Sequence, residues 1–176
     1  VFEELLVKSS FDFSDIQKNL AFLKGYKTEG NISSQDITEA IPKSLQDNIF
    51  DMTQLLLRGQ IQDVRELVHD LRLQGEDEIK LIAVMLGQFR TYLQVKLLSA
   101  QGKSEQQIVS SLSDYLSRKV NPFQVRYAIR DSRHLSVAFL KTTIKTLVET
   151  DYQIKTGTLD KDYLLDLALL KIASNS

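Results

Sequence analysis

Ser33–Arg58, SSQDITEAIPKSLQDNIFDMTQLLLR, is the stretch whose reading decides the fold. A helix capped by Ser33 carries Ile37 and Ile41 on one side and is then cut off by Pro42. Proline has no backbone N–H, its ring clashes with the preceding turn, and it drives the residue before it out of helical geometry. A second helix opens at Asn48-Ile49-Phe50-Asp51 and runs on through Leu55, Leu56 and Leu57. Ile41-Pro42 is therefore a joint between helical blocks, with a small group over 1–44 and a larger one over 45–176.

Helix signals continue on both sides of the joint. Upstream, Val1–Lys8 reads as one short helix, and Ser14 caps a second that carries Ile16, Leu20 and Leu23 and stops near Gly25. Downstream, Asp47–Arg58 is closed by Gly59, and Ile61, Val64, Val68 and Leu71 recur at helical spacing until Gly75. Asp77–Ala100 is the longest element. Its stripe of Ile79, Ile82, Leu86, Phe89, Leu93 and Leu97 has no breaker before Gly102, which predicts a rod of roughly 35 Å. Leu81, Met85 and Tyr92 give it a second apolar face, so it is expected to be covered on more than one side. Ser104-Glu105-Gln106-Gln107 is a capping box, and Asn121-Pro122 places proline at a first helical position. Ser136 starts the next helix, with Leu140, Ile144, Leu147 and Ile154 on one side and Gly157 at its end. Asp160 caps the last, where Leu164–Ile172 is apolar nearly all round and is expected to be buried. No alternating apolar run is bounded by turn residues, so no strand is predicted. The class is all-α.

Composition agrees with a packed helical chain. Of 176 residues 43% are hydrophobic, with only seven glycines and two prolines. There is no cysteine, which excludes disulfides and thiolate chemistry. No apolar run approaches the roughly 20 residues a membrane span needs, and no signal-peptide pattern opens the chain. Because it begins at Val1, it is expected to be a piece of something longer. The net charge of −1 hides an asymmetry: residues 1–80 hold 9 Lys/Arg against 15 Asp/Glu, and residues 81–176 hold 13 against 8.

Motifs of catalytic type fail on inspection. Gly102-Lys103-Ser104 copies the end of a phosphate-binding loop, but Leu97 stands where that loop needs its first glycine, and a long helix precedes it instead of a strand. A helix end followed by a capping box accounts for the same residues. Asp160-Lys161-Asp162 lacks the third acidic residue and the glycine of a calcium loop, and reads as a solvated cap. His69 and His134 are the only histidines and have no metal-ligand spacing. No catalytic, cofactor-binding or metal-binding residue is assigned.

A nucleic-acid reading is stronger. Ile108, Val109 and Leu112, then Pro122, Val125 and Ile129, resemble the stripes of a helix-turn-helix, with Arg126, Arg130 and Arg133 lining the second helix for phosphates. Ser113–Asn121 is longer than the usual turn of about three or four residues, which favours a solvated basic face or a subunit contact. Arg118, Lys119, Arg126 and Arg130 are retained as candidates for meeting DNA or an acidic partner, and a nucleic-acid-binding module using 118–145 is the alternative function.

The order of landmarks carries a resemblance. The Pro42 joint, Gly75-Glu76, Gln88-Phe89-Arg90, Lys96, Gly102, Pro122, Leu135-Ser136, Asp151 and Ile154-Lys155-Thr156-Gly157 are similar in order and spacing to the delta subunit of bacterial DNA polymerase III, of the Gram-positive type, over about 33–173. Phe13–Leu20 resembles the opening of that family's lid helix. The resemblance implies an AAA+ lid-like module at 1–44 and a helical collar domain at 45–176. It implies a non-catalytic clamp-loader subunit that assembles with delta-prime and tau/gamma, so that the sliding clamp is loaded onto primed DNA in DNA replication. It places the protein in the bacterial cytoplasm at the replication fork, without a membrane partner, and assigns the clamp grip to an N-terminal module absent from this sequence. Aromatic anchors for the collar contact are sought on the later helices at Tyr127, Phe139, Tyr152 and Tyr163.

Overall fold

The computed structural model describes residues 1–9, 13–157 and 159–175, over which the backbone forms ten α-helices and no strand. In chain order they are α1 (Phe2–Lys8), α2 (Phe13–Tyr26), α3 (Ser34–Ala40), α4 (Leu45–Leu57) and α5 (Ile61–Leu73). There follow α6 (Glu78–Ala100), α7 (Glu105–Leu116), α8 (Pro122–Ser132), α9 (Val137–Lys155) and α10 (Lys161–Ala173). The all-α expectation holds. The chain divides into two compact units, Val1–Asn48 and Ile49–Ser176, and the division falls inside α4, four residues beyond the expected 44/45 boundary.

In the first unit α1, α2 and α3 close over a small core of Leu5, Leu23, Ile37, Ala40 and Ile41, with Ile32 packed against it. Polar contacts tie the helices where apolar area is short: Lys8 Nζ donates to the Ile41 carbonyl at 3.0 Å and Lys27 pairs with Asp36 at 2.7 Å. Asp36 also accepts from the Ser33 N–H at 2.7 Å, completing a capping box at the start of α3. The Lys27 bond, then the two from Ser33, hold the Asp36 carboxyl down at about 2. Ile41 ends α3 in extended geometry (φ −98°, ψ 111°), as a residue before proline requires. Two expectations need correcting. Ser14 lies inside α2, which already includes Phe13, so it is not the cap. α4 does not begin at Asp47 either; it begins at Leu45, and Ser44 caps it, its Oγ accepting from the Asp47 N–H at 3.1 Å while Asp47 Oδ2 accepts from the Ser44 N–H.

In the second unit α6 is the axis, packed by α7, α8, α9 and α10; α9 and α10 pack on each other, and α5 lies against α10. The face of α6 read as secondary is the better buried: Leu81, Met85 and Tyr92 join Ile82, Leu86, Phe89 and Val95 in the interior, whereas Leu97 is 41% exposed. Phe89 packs edge-on against Tyr92 (centroids 6.0 Å) and Phe139 (6.4 Å), the geometry that aromatic quadrupoles favour. Predicted caps hold at Ser104, Asn121, Ser136 and Asp160, each side chain accepting a first-turn N–H. At Gly75 (φ +85°) the Glu76 N–H reaches back to the Leu71 carbonyl at 3.0 Å, closing α5 as glycine in the left-handed region permits. The α7–α8 connection is shorter than the sequence reading allowed. α7 runs to Leu116, and Ser117 supplies the left-handed turn (φ 51°), leaving only 117–121 between the helices.

Candidate functional site

Three features of the second unit stand out from ordinary packing. The first is an ionic junction where the end of α5 meets the starts of α6 and α10. Glu78, whose side chain is 3% exposed, accepts from Arg72 Nε at 2.8 Å and pairs with Lys161 Nζ at 2.8 Å. Lys161 also bonds Asp77 at 2.7 Å, and Arg72 reaches Asp166 at 3.4 Å and the Asp162 carbonyl at 3.3 Å. Burial alone would raise the Glu78 carboxyl. The hydrogen bonds from Lys161, from the helix backbone and from Arg72 overcome it and bring the group to about 2. The same contacts raise Lys161, first through Asp77 and then through Glu78. Asp162 moves the other way, upward, because it faces Glu78.

The second feature is an apolar ridge on α10. Leu164, Leu165, Ala168, Leu169 and Ile172 are buried, but Tyr163 is 56% and Leu170 is 49% exposed. With Leu167 they form one wall of a shallow groove whose other wall is Ile61, Val64 and Arg65 of α5. The expectation that α10 is buried all round is thus wrong, because the helix is covered by α6 and α9 on one side and only partly by α5 on the other.

The four aromatic candidates separate. Tyr163 sits on this ridge, and Tyr152 stands on α9, 67% exposed, one turn beyond the half-exposed Val148. Tyr127 is half-buried under the Arg130 guanidinium, 5.0 Å from its ring centroid. Phe139 is buried against Phe89 and belongs to the core, so it presents no exposed face. Its position three residues after Ser136, at the start of a helix, gave no sign of this.

The third feature is the basic face. Arg118 and Lys119 are exposed in the α7–α8 connection. Arg126 pairs with Glu105 of α7 at 3.0 Å and lies over the Phe123 ring at 5.6 Å. Arg130 bonds its neighbour Asp131 at 2.8 Å. Two of the four candidate cations are therefore already engaged, which lowers the field they offer a phosphate backbone. Lys96 donates to the Ser132 and Arg133 carbonyls at the end of α8, at 3.2 and 2.8 Å, where a cation meets the negative end of the helix dipole.

The motifs of catalytic type resolve into local structure. Gly102 ends α6, Ser104 caps α7, and Lys103 Nζ donates to Ser111 Oγ at 2.9 Å. His69 and His134 are exposed. Among the described residues no group of three or more His, Asp or Glu is placed to hold a metal ion, and no helix is long and apolar enough to cross a membrane. The ionic junction was missed by sequence reasoning. Glu at a helix start ordinarily meets water and the helix dipole, and nothing local to Asp77-Glu78 shows that Arg72 and Lys161 converge on it.

An all-helical module organised around one long central helix, with hydrophobic and ionic features on its surface, is what the fold defines. The chain belongs to the DNA polymerase III delta-subunit family: residues 46–172 match the family's "DNA polymerase III delta subunit, C-terminal domain". It is similar to DNA polymerase III subunit delta of Bacillus subtilis (strain 168), 35% identical over 160 residues, covering 91% of this chain and 44% of that one. Among solved structures it is similar to the Bacillus subtilis DNA clamp loader delta protein, with TM-score 0.86 and 31% identity over 98% of this chain and 49% of the other. The chain thus spans less than half the length of these relatives.

Proposed function

We propose that the chain supplies the lid-like and collar modules of a clamp-loader delta subunit, residues 1–44 and 45–176, and acts as a non-catalytic strut in DNA replication. It assembles with delta-prime and tau/gamma in the bacterial cytoplasm, and a further module of the subunit grips the sliding clamp on primed DNA. The observation that supports this most is the likeness to the Bacillus subtilis clamp loader delta protein over nearly the whole chain at TM-score 0.86. The helices themselves are suited to the role. The Phe89 cluster and the Glu78 junction fix α5, α6, α9 and α10, and Tyr152 and Tyr163 are held exposed on that frame. Exposed aromatics on rigid helices are the side chains that dominate protein interfaces.

Capture of delta-prime and tau/gamma by the immobilised chain tests the reading. Wild-type chain retains the other subunits, and Tyr152→Ala with Tyr163→Ala weakens retention. Unchanged retention by the double variant removes the tyrosines as anchors; no retention by wild type removes the collar assignment.

A further inference from the structure

The corner between α7 and α8 exposes apolar side chains and sets cations beside them. Tyr115 is 75% exposed, more than any other large apolar side chain among the described residues. Leu116 and Phe123, on either side of the 117–121 connection, are 40% and 43% exposed. Between them stand Arg118 and Lys119, both exposed and without an ion pair among the described residues. The connection that carries them is pinned. Ser113 Oγ accepts from the Val120 N–H at 3.0 Å and donates to the Val109 carbonyl at 2.7 Å, and the Arg118 N–H donates to the Ser113 carbonyl at 3.2 Å. Val120 is itself buried, and Ser117 holds left-handed backbone (φ 51°) that serine adopts only at a cost. Apolar side chains gathered on a surface and rimmed by charge mark an interaction site.

We propose that this corner docks a short acidic peptide segment carrying an apolar side chain, its carboxylates meeting Arg118 and Lys119 and its apolar group resting on Tyr115 and Leu116. The distribution of charge selects this occupant. Arg126 and Arg130 are already paired with Glu105 and Asp131, so what is left is two adjacent cations against the exposed Asp114. That is a local positive spot, which suits a pair of carboxylates, and not the extended row of cations that a phosphate backbone follows. The Phe123 ring has the Arg126 guanidinium over it at 5.6 Å, on a face that a stacking base would need. An anionic bilayer is held by clusters of about four to eight Lys/Arg, more than the corner offers. The inference uses neither Tyr152 nor Tyr163, so it stands or falls apart from the assembly reading.

Amide NMR of the labelled chain tests it, because chemical shifts register weak, rapidly exchanging complexes. The probe is a short peptide of aspartates and glutamates around a central leucine and phenylalanine. The same peptide with serines in place of that central pair is the first control, and single-stranded oligothymidylate is the second. Saturable shifts along 113–124 are expected with the probe, weaker ones with the serine peptide, and none with oligothymidylate at the same concentration. Arg118→Glu with Lys119→Glu is expected to weaken binding on the order of tenfold, the effect of reversing two exposed charge contacts. Tyr115→Ser is expected to weaken it several-fold. All three side chains are exposed, so the spectra of both variants away from the corner should match wild type. Absence of saturable shifts along 113–124 overturns the proposal, as does equal binding of the two peptides or binding undiminished by the charge reversal. Tighter binding of oligothymidylate also overturns it and identifies a nucleic-acid strand as the occupant.

Discussion

Replacing Glu78 by Gln removes the charge at the centre of the α5–α6–α10 junction and leaves the shape. The carboxyl sits at about 2 in place of its ordinary 4.5, and a tenfold difference in proton affinity is worth about 1.4 kcal/mol, so ionised Glu78 contributes roughly 3 kcal/mol at pH 7. Because the folded value is depressed, this stability is fully present above about pH 4.5 and is lost as pH falls toward 2. The gap between wild type and Glu78→Gln should therefore be largest at neutral pH, on the order of 3 kcal/mol, shrink as pH falls below the ordinary carboxylate range, and nearly vanish toward pH 2. Urea unfolding followed by circular dichroism at each pH gives both curves. The wild-type curve alone is not diagnostic, since Asp36 in the first unit is also held at about 2 and loses its own partners in acid; the difference between the two proteins cancels that contribution. Equal midpoints at pH 7, or a gap that persists undiminished to pH 2, would refute the reasoning.

Phe139→Ala, which empties a site against Phe89, should lower stability by about 3–5 kcal/mol. Tyr152→Ala, on the exposed side of α9, should stay within about 0.5 kcal/mol of wild type; thermal unfolding separates them. Ser44→Ala removes the hydroxyl that accepts the Asp47 N–H and should cost about 1 kcal/mol in the same measurement. If the basic candidates meet DNA, binding of the chain to primed DNA should fall steeply with salt, and Arg118→Ala with Lys119→Ala should flatten the dependence. With Arg126 and Arg130 engaged by Glu105 and Asp131, we expect weak binding at most, read by fluorescence anisotropy at low ionic strength.

What was legible in the sequence was whatever is decided within a turn or two of the chain. Ser33, Ser104, Asn121, Ser136 and Asp160 announce helix starts through their own hydroxyl, amide or carboxylate oxygens, and Gly75, Gly102 and Gly157 announce ends. Pro42 marks the joint because its ring acts on its immediate neighbour. Failures came where a distant residue decides. The end of α7 is a left-handed serine with no glycine to mark it, and the Ser113 hydroxyl that receives the Val120 N–H is seven residues away. Which face of α6 is better buried depends on where α8, α9 and α10 settle, and periodicity alone does not rank two apolar faces. The same limit hid Phe139 in the core and left Leu170 outside it. Glu78 was invisible as a buried charge because one of its partners, Lys161, comes from the far end of the chain.

The collar reading meets its most direct test in competition. Mixed with delta-prime, tau/gamma and full-length delta, an excess of this chain should enter the loader complex and displace full-length delta, visible as a smaller complex by size-exclusion chromatography with light scattering. A full-length complex unchanged at any excess of a folded chain would contradict it.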